Sequence, residues 1–147
     1  MMSAAPADPK PSVVVFSSLF PSHIQPNAGV FVRERMFRVA ERMPLAVVAP
    51  TPWFPLQSLI RRWRPAFRPG APPRENQAGI DVWYPRFPSV PGAFKCLDGW
   101  AMALAALPRL RALQRVGRLD VLDAHFGYPD GFAATRLGRW LGVPVAV

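Results

Sequence analysis

The sequence predicts an α/β fold in which a parallel sheet is covered by helices on both faces. The first observation is the run VVVF at residues 13–16, which does not alternate with polar residues. Such a run is typical of a strand buried on both faces, as the strands of parallel sheets are. The second observation is that apolar runs of this kind alternate along the chain with amphipathic helical segments.

The first strand, loop and helix follow one another directly. The strand SVVVFSSLF occupies residues 12–20, and the turn-rich loop PSHIQPNAG follows at 21–29. Over residues 30–43 apolar side chains recur at helical spacing, and arginines and glutamates occupy much of the other face. Pro44 then ends this helix, because proline is not tolerated in a helix interior.

The rest of the chain continues the alternation. We predict strands at 45–49, 79–85, 120–126 and 143–147, and helices at 97–113 and 132–141. Pro108 is expected to kink or divide its helix, and Gly142 to cap the last one. The proline- and arginine-rich residues 56–78 are predicted to form a long irregular insertion, and residues 86–92 a loop.

The connections predict where a ligand would bind. Right-handed crossovers place the loops after the first and fourth strands at the same carboxyl edge of the sheet. In doubly wound sheets, ligands bind in the crevice between such neighbouring strands. We therefore expect residues 26–29 and 125–131 to meet at one rim and to share a pocket.

Composition limits the class of protein and of site. The chain has 147 residues, 50% of them hydrophobic, and one cysteine, which fits one domain or part of a larger one. A single cysteine excludes an intramolecular disulfide and a zinc site built on several thiolates, and two histidines exclude a histidine cluster. No apolar run approaches the roughly 20 residues of a membrane span. Residues 1–11 lack a secretory-signal pattern, so we expect a cytoplasmic location. Their prolines predict a flexible leader.

The basic charge leaves several partners open. The formal net charge is +9, which suits nucleic acid, an anionic membrane or phosphorylated small molecules, although arginine-rich, proline-rich sequences also arise from coding bias. The arginines of residues 61–74 surround Trp63 and could rest on an anionic membrane or hold a phosphorylated acceptor. The simpler interpretation is a solvated insertion, because prolines interrupt any helical amphipathicity there.

Two loops carry candidate functional residues. Asn27, Ala28 and Gly29 lead into a helix whose first N–H groups could bind a phosphate, although a plain tight turn explains the same residues. No dinucleotide fingerprint or P-loop motif is present. His125 lies at the end of the fourth strand, where it could bind a sugar hydroxyl or move a proton, or serve as a structural hydrogen-bonding group. Tyr128 and Asp130 follow in the same loop and could face the same crevice. Asp130 could instead cap the next helix.

Several short motifs, taken in order, resemble the amino-terminal domain of glycosyltransferase family 4. They are FSSLFP at 16–21, QPNAGVFV at 25–32, VVAP at 47–50, PWFP at 52–55, YPRF at 84–87, DVLDAH at 120–125 and YPDG at 128–131. The resemblance spans about residues 12–147. Each motif is weak alone, and their order and spacing carry the specificity.

The resemblance implies a retaining, metal-independent enzyme of GT-B architecture that needs no cofactor. Such enzymes pass a sugar from a nucleotide-sugar donor to a glycan or lipid-linked acceptor between two Rossmann-like domains. By this resemblance Asn27, Ala28 and Gly29 match the loop near the donor diphosphate, and His125 matches the histidine near the transferred sugar. Tyr128 and Asp130 are the predicted acceptor-binding residues.

The chain departs from the family by ending at Val147, within the predicted fifth strand. We therefore expect an incomplete Rossmann-like domain over residues 12–147, without the donor domain and inactive alone. The leading hypothesis is the acceptor-side part of an enzyme of cell-envelope or exopolysaccharide synthesis, peripheral at the inner face of the plasma membrane. The alternative is a non-catalytic Rossmann-like module that binds an anionic ligand or membrane through its basic surface. Nucleic acid is not an expected partner.

Overall fold

The computed structural model describes residues 8–147, so most of the predicted leader lies outside the described residues. The strands are β1 (Val13–Phe16), β2 (Leu45–Val48), β3 (Thr51–Trp53), β4 (Arg74–Gln77), β5 (Ile80–Trp83), β6 (Arg86–Pro88), β7 (Val121–Ala124) and β8 (Val145–Ala146). The helices are α1 (Val30–Ala40), α2 (Gln57–Trp63), α3 (Asp98–Arg115) and α4 (Phe132–Leu141). A 3-10 turn covers Lys95–Leu97, and a π turn covers Gly127–Gly131.

The main sheet has the strand order β4-β5-β2-β1-β7-β8. Its pairs are parallel except for the antiparallel pair of β4 and β5. The central strand β1 lies between β2 and β7, which matches its continuous apolar sequence. The predicted α/β fold with a mostly parallel sheet, as in Rossmann-like domains, is confirmed.

Apolar side chains from β1 enter a separate core on each face of the sheet. Val14 and Phe16 pack with residues of α3 and α4, such as Leu110 and Leu137. Val15 lies on the opposite face, in a cluster with Val32 and Met36 of α1. Because strand residues alternate between faces, a strand without polar residues requires helices on both sides. The prediction of helices on both faces is confirmed.

The prediction of an irregular insertion over residues 56–78 is wrong. The segment contains the short helix α2 and the edge strand β4, whose sequence RENQ is polar. An edge strand exposed to solvent needs no apolar alternation, so the sequence pattern did not reveal it. Ala78 and Gly79 join β4 to β5 with positive φ angles of 51° and 83°, the backbone signs of a tight hairpin turn.

The described residues also form a small second sheet. The segments 50–55 and 86–92 contain β3 and β6, which pair in parallel as a small second sheet, so the prediction of a loop over 86–92 is wrong. The helix with Pro108 is not divided, since α3 continues through this residue to Arg115.

Gly142 ends α4 with a φ angle of 66°, and the backbone N–H of Val143 donates to the Gly138 carbonyl. The predicted glycine cap is therefore confirmed.

Candidate functional site

The loops after β1 and β7 leave the sheet side by side. β1 and β7 are parallel neighbours, and Phe16 at the end of β1 lies opposite Ala124 at the end of β7. The rings of Phe31 and Phe126 meet edge to face, with centroids 6.1 Å apart. The expected meeting of these two loops at one carboxyl edge is therefore found in the structure.

Gly29 is the residue that allows the first loop to turn tightly into α1. It has a φ angle of 66°, and a Cβ atom placed on it would lie 2.2 Å from the backbone oxygen of Leu19. No other residue fits without moving the backbone, because that distance is far inside van der Waals contact. Throughout residues 8–147, the N–H groups of Val30 and Phe31 find no protein acceptor, so they remain available at the helix start.

Asn27 and Ala28 complete this loop without occupying its interior. Asn27 is exposed and Ala28 is half-buried, and the N–H of Ala28 donates to the Gln25 carbonyl within the turn. The loop therefore combines a fixed backbone with donors that face no protein partner. Such a helix start attracts anions, because its N–H groups carry partial positive charge.

His125 follows β7 directly, and its imidazole is buried without being satisfied. The side chain is 8% exposed, and its Nε2 lies 3.4 Å from Oδ2 of Asp123. Nε2 forms no hydrogen bond with any described residue. A buried polar atom without a partner costs free energy, so its persistence favours a role with a ligand or water.

Asp130 fastens the β7 loop to the β1 loop. The side chain is fully buried, and its Oδ2 accepts the backbone N–H of Ser18 at 2.8 Å. Burial raises the pKa of Asp130, while the Ser18 N–H and the charge of His125 act in the opposite direction. It forms no side-chain cap to α4, so the alternative helix-cap interpretation is wrong.

The buried carboxylate of Asp130 predicts a distinctive pH dependence. An aspartate whose pKa is raised by folding destabilises the native state as pH rises from the unfolded pKa of about 3.9 through the higher folded pKa. Asp130→Asn keeps an acceptor for Ser18 but removes the charge. We expect the variant to be more stable than the parent at pH 7, with the difference shrinking as pH falls through the folded pKa and levelling off below about 4.

Urea unfolding over that pH range measures this difference. Asp120→Asn is the matched control, because exposed Asp120 also accepts a backbone N–H, that of Ser12, at 2.7 Å. A stability difference between Asp130→Asn and the parent that grows as pH falls would contradict the expected sign.

Tyr128 joins the β7 loop to the start of α3. Its side chain is half exposed, and its hydroxyl donates to the carbonyl of Lys95 and accepts the N–H of Gly99 at 3.4 Å. Its ring also packs against Phe132, with centroids 6.0 Å apart. The hydroxyl is thus engaged within the protein, and the exposed part of the ring is what a ligand could reach.

A cavity of about 400 Å³ opens at this edge of the sheet, beside the two loops. None of the predicted site residues lines it, although Pro129, between Tyr128 and Asp130, does. Its polar and charged lining residues are Ser18, Gln25, Thr51, Arg68, Ser89, Lys95 and Asp98. The two loops therefore border one cavity, but residues 26–29 do not line it, so the expected pocket shared by residues 26–29 and 125–131 is not found there.

The cavity contains two cations, Arg68 and Lys95. Arg68 donates to the carbonyl of Ser89 at 2.6 Å, and burial lowers the pKa of its guanidinium. Nζ of Lys95 donates to the Ser89 hydroxyl at 2.9 Å and lies 3.3 Å from Asp98 Oδ2. Arg68 lies in the arginine-rich stretch that the sequence singled out, whereas no pattern marked Lys95.

Over residues 8–147, no group of three or more histidine, cysteine, aspartate or glutamate side chains is arranged to hold a metal ion. Of the helices in that range, none combines the length and the apolar character needed to cross a membrane.

Comparison with known proteins finds one curated relative that matches most of the chain. Over 140 residues, or 90% of the chain, the sequence is 28% identical to "Putative teichuronic acid biosynthesis glycosyltransferase TuaC" of Bacillus subtilis (strain 168). The chain is similar to a glycosyltransferase. It spans 34% of the length of that relative. No family model and no solved structure matches the chain.

The similarity confirms the predicted glycosyltransferase relationship at this general level. Family 4 membership, the GT-B architecture and the roles of Asn27, Ala28, Gly29 and His125 remain predictions.

Proposed function

We propose that the chain is the amino-terminal, acceptor-side segment of a retaining, metal-independent family 4 glycosyltransferase of GT-B architecture. The enzyme would move a sugar from a nucleotide-sugar donor to a glycan or lipid-linked acceptor of the cell envelope, working at the inner face of the plasma membrane. One observation carries the proposal. Free N–H groups at the start of α1 and the unpartnered Nε2 of His125 occur in neighbouring loops at one edge of the sheet.

The start of α1 suits the leaving diphosphate of a nucleotide sugar. Negative charge builds up on that diphosphate as the sugar bond breaks, and fixed backbone donors stabilise such charge without reorganising. Gly29 would allow the diphosphate to approach the backbone closely, because glycine carries no side chain at the turn. Asn27 and Ala28 would hold the same turn, and the donor domain would supply the rest of the nucleotide site.

His125 suits the transferred sugar. Its Nε2 is a free hydrogen-bonding atom in a buried position, which can bind a sugar hydroxyl in a fixed orientation. Asp123, at 3.4 Å, would stabilise positive charge on the imidazole if it took up a proton. Asp130 would hold the loop that carries Tyr128 by its bond to Ser18.

The cavity beside these loops suits the acceptor. Its wall combines apolar residues with two cations, Arg68 and Lys95, and one carboxylate, Asp98, so its net positive charge favours an acceptor with a negatively charged group. Tyr128 presents an aromatic surface at the same edge, which can pack against a sugar ring.

The longer protein that the proposal requires provides the test. Its reading frame should continue past codon 147 into a second Rossmann-like domain with two glutamates a few residues apart. That protein should transfer labelled sugar from a nucleotide-sugar donor, keep its activity in EDTA and give a product with the anomeric configuration of the donor. An immediate stop codon, loss of activity in EDTA or an inverted product would each contradict a stated part of the proposal.

A further inference from the structure

The short helix α2 and the residue before it turn three large apolar side chains toward solvent, while Ile60 is half-buried. Leu56, Leu59 and Trp63 are 56%, 53% and 85% exposed, and their spacing places them on one face of the helix. Gln57, on another face, is buried and its side-chain oxygen accepts the N–H of Phe54 at 3.1 Å. This arrangement is the reverse of an ordinary surface helix, whose apolar face packs on the core.

The charged side chains within this stretch of the chain are all positive. Arg62 and Arg64 are exposed and form no ion pair within the described part of the chain. The sequence contains no aspartate or glutamate between Glu41 and Glu75. We call Leu56, Leu59, Arg62, Trp63 and Arg64 the outer α2 patch.

We propose that the outer α2 patch docks the protein on an anionic lipid bilayer. Leucine and tryptophan side chains can enter the boundary between headgroups and acyl chains, and flanking arginines are attracted by anionic headgroups. Long arginine side chains keep their charge in water while their stems lie along apolar surface. A single-stranded nucleic acid would instead need successive aromatic platforms, whereas this patch offers leucines beside one tryptophan.

Docking through this patch would place the mouth of the cavity close to the lipid headgroups. Ala66, Arg68 and Pro69 follow α2 in the chain, and all three line the cavity beside the β1 and β7 loops. A lipid-linked acceptor could then reach the cavity without leaving the bilayer. The inference rests on the proposed peripheral location and names the surface that would produce it.

Flotation of the 147-residue chain with lipid vesicles tests the docking surface. We expect binding to phosphatidylcholine vesicles that contain about 30% phosphatidylglycerol, and little binding to phosphatidylcholine alone. Arg62→Gln with Arg64→Gln should weaken binding about 25-fold, about fivefold for each arginine. Leu59→Ser with Trp63→Ser should weaken it about tenfold or more, since buried apolar area contributes directly.

Matched controls come from α3. Arg111→Gln with Arg115→Gln makes the same change of charge at exposed positions in the last turns of α3, and Val116→Ser removes an exposed apolar side chain just after it. Binding by these controls should stay within about twofold of the parent, because the patch is intact. Circular dichroism confirms that each variant is folded.

Four results would overturn the docking inference. They are equal loss of binding in the control variants, equal binding to neutral and anionic vesicles, no vesicle binding at all, and patch-dependent binding to oligonucleotides without vesicle binding. Sugar transfer to a water-soluble acceptor separates this inference from the proposed function. Intact transfer without vesicle binding would overturn docking alone, whereas vesicle binding without transfer would contradict the enzyme proposal.

Discussion

Replacing His125 with alanine should lower sugar transfer by about 10²- to 10⁴-fold in the longer enzyme. The physical reason is that Nε2 is buried and makes no hydrogen bond with a described residue, so it is free to bind and orient the substrate. Folding should suffer much less, because Nε2 makes no hydrogen bond with a described residue and loses only its 3.4 Å approach to Asp123. The free energy of unfolding should fall by about 1–2 kcal/mol, from lost packing.

Turnover and urea unfolding measured on the same samples separate these two effects. His23→Ala is the control, because exposed His23 bonds Glu75 and is not part of the candidate site. The control should leave turnover within about threefold of the parent, since His23, although it lies in the β1 loop, neither belongs to the start of α1 nor lines the cavity beside the two loops. Unchanged turnover in His125→Ala would remove His125 from the site, whatever happened to stability.

Sequence predicted best those strands and helices in which the buried faces determine the order of apolar and polar residues. β1 must be apolar on every residue because cores lie on both of its faces. α1 must be amphipathic because the face that carries Val32 and Met36 packs in the core with Val15. These constraints act on consecutive side chains, so they are visible in a single sequence. Gly142 was also visible, because a left-handed helix end selects glycine.

The missed elements are those whose stability comes from the partner segment rather than from their own sequence. β4 is polar because it is an edge strand, and it forms because β5 offers a free edge across a two-residue turn. β3 and β6 are three residues each and contain prolines, so they give no alternation to recognise. Such pairs become evident only when the topology brings the partners together.

The candidate site was likewise predictable only in part. The β1 and β7 loops could be placed at one edge from the order of strands alone, because parallel neighbours end at the same edge. The bond from Ser18 to Asp130 joins residues 112 positions apart, so no local pattern announces it. The cavity beside these loops draws on still more distant segments, and for this reason Lys95 and Ser89 escaped notice.

Replacing Gly29 with alanine should destabilise the protein by about 3–4 kcal/mol, of which about 1–2 kcal/mol comes from the left-handed backbone conformation alone. The remainder comes from contact, since the new Cβ atom would lie 2.2 Å from the Leu19 oxygen and 2.6 Å from its carbonyl carbon. Both are backbone atoms just after β1, so the clash cannot be relieved by turning a side chain. The loop itself must move.

Gly142→Ala is a matched control for this substitution. Gly142 has the same φ angle of 66°, but a Cβ placed there would meet nothing within 4 Å. Its cost should therefore be the conformational part alone, about 1–2 kcal/mol. The difference between the two variants in urea unfolding measures the close approach of the β1 loop to α1. Equal destabilisation would mean that the Leu19 contact relaxes freely, and the fixed N–H groups that the proposed diphosphate site requires would not be held in place by Gly29.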